Sequence, residues 1–146
     1  MPGGSAVGQS LVGRSVVAGS TEGRAVVSHE PLSFWGGFEP ETGEIIDRRH
    51  ERSGEVITGK IFVFPFSKGS STGSRSLLEA IRAGTAPAGI VNLKVDPILA
   101  LGSILGGEFY DKIVPIVTLA EDDFCSIADG EQLVIEPDGT VRREDE

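Results

Sequence analysis

Cysteine is almost absent from the chain: of 146 residues, only Cys125 carries a thiol. A lone thiol excludes an internal disulfide and makes the reducing cytoplasm the expected setting. It also excludes a metal centre built by this chain from several thiolates. Histidine is nearly as scarce. His29 and His50 are too far apart in sequence to sit as a metal pair on one helix, so each reads as a surface or hydrogen-bonded structural residue. His50, close to Asp47 and Glu51, is the one within reach of a substrate or a partner chain. Positive charge is short as well, with 13 Lys and Arg against 22 Asp and Glu and a net charge of −9. Phosphate backbones need a basic face, so nucleic acid is excluded as a partner. No apolar run nears the roughly 18 residues of a membrane span. The opening MPGGSAVGQSLVGRS lacks a charged start followed by a long apolar core, so no secretory signal is expected. There is no internal repeat. Hydrophobic residues still make up 39% of the chain, enough for the core of one domain.

The densest signal is KIFVFPFSKGSSTGSRSLLEAI, residues 60–81. Ile61, Phe62, Val63 and Phe64 are β-branched or aromatic, as a buried strand requires, and Pro65 closes the run by removing a ladder donor. Leu77, Leu78 and Ile81, with Ser74 one turn earlier, give the following helix one apolar face. Between strand and helix stand Lys68, Gly69, Ser70, Ser71, Thr72, Gly73 and Ser74. Such a loop offers backbone N–H groups and hydroxyls at the positive end of a helix, a ready anion site. The plain alternative is helix capping, worth about 1 kcal/mol per cap. Lys68 would lower the cost of an alkoxide in the loop and attract a carboxylate or phosphate, unless it is an ordinary exposed lysine.

Familiar loops can be set aside. A nucleotide-hydrolase loop ends in Gly-Lys-Ser/Thr, whereas here Lys68 precedes Gly69. The dinucleotide fingerprint does not fit the glycine spacing. Residues 69–73 match the Gly-x-Ser-x-Gly elbow by letter, with Ser71 central. A hydrolase triad is poorly supplied, because both histidines precede that serine.

Residues 1–10 are rich in Gly and Ser and are expected to be flexible. The domain is expected over 11–143, with 144–146 as an acidic tail; Arg142 and Arg143 read as part of a solvated run with it. Residues 11–18 and 23–28 read as strands joined by a turn over 19–22. Residues 33–43 read as a loop in which Trp35, beside Gly36 and Gly37, either closes over a ligand or packs a hydrophobic edge. Residues 45–53 read as a polar excursion before a strand beginning near Glu55 or Val56. Residues 88–93 read as a buried strand. Asp96 and Pro97 mark the start of a short apolar helix with Ile98, Leu99, Leu101 and Leu105, loosened by Gly102, Gly106 and Gly107. Residues 113–119 give a further strand, Asp122 and Asp123 solvated loop charges, and Cys125 a small buried filler. Residues 132–135 and 140–142 flank Glu136-Pro137-Asp138-Gly139, a hairpin signal. This order predicts a mixed α/β domain with a bent or barrel-like sheet.

Three blocks in order, HEPLSFWGGFEPETGEIID (29–47), GKIFVFPFSKGSSTGS (59–74) and AGTAPAGIVNLKVDPILALGSI (83–104), together resemble the small, swivel-domain component of aconitase X. The resemblance spans most of residues 11–119. It implies a three-layer β/β/α swivel domain with a barrel-like mixed sheet. In the wider superfamily this domain brings a Gly-Ser-Ser loop to an iron–sulfur cluster held by the large component, and one serine, as alkoxide, is the base in dehydration. The resemblance therefore implies Ser70 as the catalytic serine and Ser71 as its substrate-binding neighbour. Gly69, Lys68 and Thr72 complete the substrate loop, and Phe34, Trp35, Gly36 and Gly37 form a candidate lid or interface. It implies no metal or cofactor in this chain, a large aconitase X subunit as partner, and activity only in that complex. Where classical aconitases follow the two serines with a carboxylate-binding arginine, this chain has Thr72. The family implies two substrates, cis-3-hydroxy-L-proline giving pyrroline-2-carboxylate, or 5-phosphomevalonate giving anhydromevalonate phosphate. The segments at 109–111 and 121–126 favour the first. The rival from another class is a non-catalytic binding module that keeps the swivel fold.

Overall fold

Ile61, Phe62, Val63 and Phe64 are all fully buried, because the strand they form is covered on both faces. The computed structural model describes residues 9–144. Their elements run β1 (Ser10–Val12), β2 (Arg14–Val17), β3 (Thr21–Val27), β4 (Phe38–Glu39), β5 (Glu44–Ile45), β6 (Ile61–Val63), α1 (Gly73–Ala83), β7 (Gly89–Asn92), α2 (Pro97–Tyr110), β8 (Ile116–Thr118), α3 (Glu121–Ser126), β9 (Gln132–Ile135) and β10 (Thr140–Glu144). One eight-stranded sheet has the order β1-β10-β9-β3-β6-β7-β8-β2, and β4 pairs with β5 in a separate small hairpin. β3, β6, β7 and β8 are parallel, flanked by antiparallel pairings on each side.

The two ends of this sheet, β1 and β2, are separated in sequence by Gly13 alone, so the sheet must curl back on itself. A Cβ at Gly13 would lie 2.6 Å from the carbonyl oxygen of Gly139 and 2.9 Å from that of Thr118. Only glycine lets the seam close at that distance. The single strand expected over 11–18 is therefore two, one paired with β10 and the other with β8. β3 starts at Thr21, two residues before the expected Gly23, and it pairs with β9 and β6 rather than back onto β2.

Alternation along β6 sorts the core. Phe62 and Phe64 face the helices and meet Leu77, Ile81, Leu99 and Ile116. Ile61 and Val63 face the second β layer and meet Leu11, Leu133, Ile135 and Val141. Two β layers and one helical layer result, the three-layer β/β/α arrangement. α1 buries Leu77, Ala80 and Ile81, with Ser74 and Ser76 beside them, while Leu78 is only half-buried. α2 begins as expected, with the Asp96 carboxylate accepting from Leu99 N and Pro97 in the first turn. Its glycines do not loosen it. A Cβ at Gly102 would lie 2.6 Å from Ser74 O, and one at Gly106 would lie 2.7 Å from Ile81 Cδ1, so these residues let α2 lie directly on α1. The helix consequently runs 14 residues. Leu101, Ile104 and Phe109 on its outer side are exposed.

Other expectations are corrected by the structure. Residues 55 and 56 make no strand, only a bridge between Val56 and Glu44. Asp122 and Asp123 sit in the first turn of α3, where the helix dipole favours negative charge. Cys125 is exposed, not a buried filler. Arg142, Arg143 and Glu144 belong to β10, not to a solvated tail: Arg143 pairs with Glu131 at 2.9 Å. Residues 1–8 and 145–146 lie outside the described residues, and Ser10, at the end of the expected flexible segment, opens β1. No helix among the described residues is long and apolar enough to cross a membrane. Gly102→Ala must push α2 away from Ser74 and Leu77. It should lower the unfolding free energy by about 1–3 kcal/mol in urea denaturation, whereas Leu101→Ala at the exposed face should change it by under about 0.5 kcal/mol.

Candidate functional site

The chain leaves β6 through Phe64, whose N–H donates to Val91 O at 3.1 Å, and turns at Pro65, whose carbonyl accepts from Leu93 N at 3.0 Å. The Asp96 carboxylate then accepts from Ser67 N, tying the loop to the start of α2. Lys68 N donates to Leu32 O at 3.1 Å. Gly69 follows with φ +90°, a left-handed conformation that favours glycine, and reverses the chain into the serines.

Ser70 is exposed, and its hydroxyl is already organised. Its Oγ accepts from Thr72 N at 3.0 Å and donates to Thr72 Oγ1 at 2.9 Å. Its carbonyl accepts from Gly73 N. The cap position proper, Thr72, has helical backbone angles and makes no side-chain cap bond. The capping role falls to Ser70, two residues earlier, whose hydroxyl takes the Thr72 N–H. The N–H groups of Gly69, Ser70 and Ser71 have no hydrogen-bond partner among the described residues. Three consecutive open amides in an exposed turn form a concavity suited to an anion or a developing oxyanion. The Ser71 hydroxyl likewise makes no bond within the chain, while its carbonyl accepts from Ser74 N and Ser74 Oγ.

Two cavities flank this loop. One, of about 370 Å³, is lined by Trp35, Pro40, Thr72, Arg75, Ser76 and Glu79. Trp35 is 59% exposed, its carbonyl held by Ser33 Oγ at 2.7 Å. Phe34 is a core residue at 1% exposure, its ring tilted against that of Phe38 at 4.8 Å and near Phe64 at 6.0 Å. Phe34 therefore anchors the turn and cannot act as a lid; of the four residues expected there, Trp35 is the one that offers a side chain. Gly36 has φ +90° and Gly37 lies against Ser33 O, so both serve the tightness of the turn.

The other cavity, of about 580 Å³, is lined by Glu30, Pro31, Asp47, Arg48, Arg49, His50 and Lys68. His50 forms its buried floor. His50 Nδ1 accepts from Arg52 N at 3.0 Å, so the neutral ring carries its proton on Nε2, which faces Ser28 Oγ at 3.3 Å. Ser28 Oγ donates in turn to Glu51 Oε2 at 3.0 Å. Ser28, His50 and Glu51 resemble a hydrolase triad only by residue type. With Nε2 protonated, His50 cannot take a proton from Ser28, and the group is structural. Glu51 is held below the usual carboxylate range, first by the hydrogen bond from His29 N, then by Ser28. Arg48 and Arg49 were read from sequence only as part of a polar excursion. Nothing linear connects them to Lys68; the Glu30 carboxylate, which accepts from Glu51 N at 2.9 Å, and the bridge between Leu32 and Ser67 together bring the two segments to one cavity. Among the described residues no group of three or more His, Cys, Asp or Glu could hold a metal ion.

A curled mixed sheet with a Gly-Ser-Ser loop at the head of α1 defines a swivel domain of the aconitase class. The aconitase X swivel domain family matches residues 10–143, and the chain belongs to that family. It is 44% identical over 111 residues to the cis-3-hydroxy-L-proline dehydratase of Pseudomonas aeruginosa, covering 76% of this chain but 19% of that protein. The chain thus spans about a fifth of that relative. It is 36% identical over 122 residues to the phosphomevalonate dehydratase small subunit of Methanosarcina acetivorans, covering 83% of this chain and 81% of that subunit. The crystal structure of Thermococcus kodakaraensis aconitase X in its holo-form matches with TM-score 0.85 and 34% identity over 94% of this chain and 100% of that chain.

Because the folded chain binds a proton at Glu51 less readily than the unfolded chain, this carboxylate stabilises the fold above about pH 4.5 and that contribution is lost as pH falls through its lowered native value. Melting temperature followed from pH 7 to pH 3 should therefore fall less steeply at the acid end in Glu51→Gln than in the natural chain, with the variant less stable near neutrality.

Proposed function

We propose that this chain is the swivel subunit of an aconitase X type hydro-lyase and that Ser70 is the base of its dehydration. The observation that carries this reading is the Ser70 hydroxyl: exposed, already receiving one N–H, and set among the open amides of Gly69, Ser70 and Ser71. A serine is a poor base at its ordinary pKa. As alkoxide, Ser70 would keep the Thr72 N–H and gain the Thr72 hydroxyl as a donor, and hydrogen bonds to the charged form favour it. Lys68, with no ion pair of its own, adds a cation two residues away. In the step itself, Ser70 takes the proton from the carbon next to the one bearing the hydroxyl. The C–H electron pair becomes the second bond of the alkene, and the hydroxyl leaves as hydroxide; the proton taken by Ser70 is then given up to it, forming water and restoring the alkoxide. Ser71, Gly69, Lys68 and Thr72 hold the substrate beside it.

The ligands of an iron–sulfur cluster, absent from this chain, belong under this reading to a large aconitase X subunit, and activity requires the complex. The exposed thiol of Cys125 suits a cytoplasmic setting. The leading substrate is cis-3-hydroxy-L-proline, a reading that rests on the segments at 109–111 and 121–126, because 44% identity is reached both by the Pseudomonas enzyme and by the phosphomevalonate dehydratase small subunit of Pyrococcus furiosus. A second reading, 5-phosphomevalonate, is favoured by the coverage of the methanogen small subunit from end to end of most of its length. Assay of the reconstituted complex on both compounds decides between them, and turnover of neither would leave a non-catalytic binding module.

Ser70→Ala should keep fold and assembly, costing about 1 kcal/mol as a lost cap, but lower kcat about 10²-fold or more. Ser71→Ala should raise KM more than it lowers kcat. Full turnover in Ser70→Ala with loss in Ser71→Ala would move the base to Ser71. The partner-facing side is proposed to be the rim formed by Trp35 and the serine loop. Hydrogen exchange should show new protection at 33–37 and 67–74 when the large subunit is added, and protection confined to 136–142 would contradict this.

A further inference from the structure

The cavity beside the serine loop holds three cations that have no ion-pair partner among the described residues. Arg48, Arg49 and Lys68 all line it, and none makes an ion pair or side-chain hydrogen bond among the described residues. Carboxylates are not in short supply, since the chain has 22 Asp and Glu. Elsewhere they are used: Arg52, Arg82, Arg142 and Arg143 each pair with one. The two acids in the cavity make no ion pair with its cations among the described residues and leave one positive charge in excess. One Asp47 oxygen accepts from Arg49 N at 3.0 Å, and one Glu30 oxygen accepts from Glu51 N at 2.9 Å, so both acids are engaged with backbone amides.

The cations are also held in place. His50 is buried, and its Nδ1 takes Arg52 N while its own N–H donates to Asp47 O at 3.0 Å, which fixes the turn carrying Arg48 and Arg49. Lys68 is fixed from the opposite wall by its bond to Leu32 O. Three cations against two carboxylates leave the cavity net positive, and the unpaired cations favour an anion between them. Guanidinium groups bind carboxylate and phosphoryl oxygens through paired N–H donors, and an ammonium adds a point charge.

We infer that Arg48, Arg49 and Lys68 form the subsite that seats the anionic end of the substrate, a carboxylate or a phosphoryl group, while Ser70 acts on its reacting carbon. This rests on the dehydratase reading for the identity of the substrate, and on the cavity alone for the binding of an anion. The scale fits a small molecule, because two residues of chain separate Lys68 from Ser70 by at most about 7 Å.

The direct test is a titration of the isotope-labelled full chain with inorganic phosphate and, separately, with acetate, followed by amide chemical shifts. Saturable shifts at residues 47–50 and 67–70 are expected with at least one probe, and they should vanish in the Arg48→Gln/Arg49→Gln variant. Tighter binding of phosphate points to a phosphoryl group, and tighter binding of acetate to a carboxylate. In the reconstituted complex the same variant should raise KM about 10- to 100-fold with kcat changed by less than about threefold, and Arg48→Lys/Arg49→Lys should recover part of the loss. If the glutamine variant unfolds, the single variants Arg48→Gln and Arg49→Gln are measured by the same readouts. Absence of saturable shifts with both probes overturns the inference. So does an unchanged KM, or loss of assembly with the large subunit in place of loss of substrate affinity. Failure of the dehydratase reading would show instead as a natural complex that turns over neither compound, while the titration result stands by itself.

Discussion

The buried carboxylate of Asp96 joins the two segments on which the site depends. One oxygen accepts from Leu99 N and starts α2; the other accepts from Ser67 N and fixes the point where the chain leaves the sheet for the serine loop. Asp96 is only 3% exposed, so removing it would strand both donors in a low-dielectric setting. Everything downstream inherits this tie. α2 lies on α1 at backbone distance through Gly102 and Gly106, and α1 carries the serine turn at its head. The loop is thus clamped at its entrance by Asp96 and at its exit by a packed helix. Between these clamps Gly69 supplies the left-handed residue that turns the serines outward.

The loop's surroundings divide by chemistry. On one side Trp35 stands over a cavity completed by Pro40 and the first turns of α1. On the other side lie Arg48, Arg49 and Lys68. An amphipathic hydroxy acid needs both kinds of wall: contact for its carbon skeleton and charge for its anionic end. The chain's net charge of −9 gives no hint of the second wall, because a summed charge says nothing about which residues are left unpaired. The outer face of α2, with Leu101, Ile104 and Phe109 exposed, is covered by no other part of the described chain.

What could be read in the sequence were features whose cause is local. The run from Ile61 to Phe64 declares a strand buried on both faces, Asp96 with Pro97 declares a helix start, and Glu136-Pro137-Asp138-Gly139 declares a hairpin. The Gly-Ser-Ser loop was legible through its neighbours in sequence and through the family resemblance of three blocks. Features whose cause is non-local were misread. Gly13 looks like any glycine within a strand until β10 and β8 are brought to it. Gly102 and Gly106 look like helix weakeners until α1 occupies the space a Cβ would need. Phe34 reads as surface beside Trp35 and two glycines, yet it is the anchor that frees Trp35 to be exposed. Arg48 and Arg49 could be placed only after Glu30 was seen to hold Glu51 N and Leu32 to pair with Ser67.

The same local geometry bears on which serine carries the proton. A base must be held in one orientation and have its charged form stabilised, whereas a binding hydroxyl must be free to reorient toward its ligand. Ser70 Oγ meets the first condition through two contacts to Thr72, one of which is a donor that persists in the alkoxide. Ser71 Oγ meets the second, having no partner within the chain. Thr72 stands where the wider superfamily has an arginine, and here its short hydroxyl turns back to Ser70 instead of reaching out to a carboxylate. Under the proposed reading the charge that an arginine would have supplied comes from elsewhere in the site, and Arg48 and Arg49 line the same cavity as Lys68 from a different segment of the chain. Orientation of the base and recognition of the anion are separated in that reading, the first kept within the loop and the second given to the turn that His50 secures.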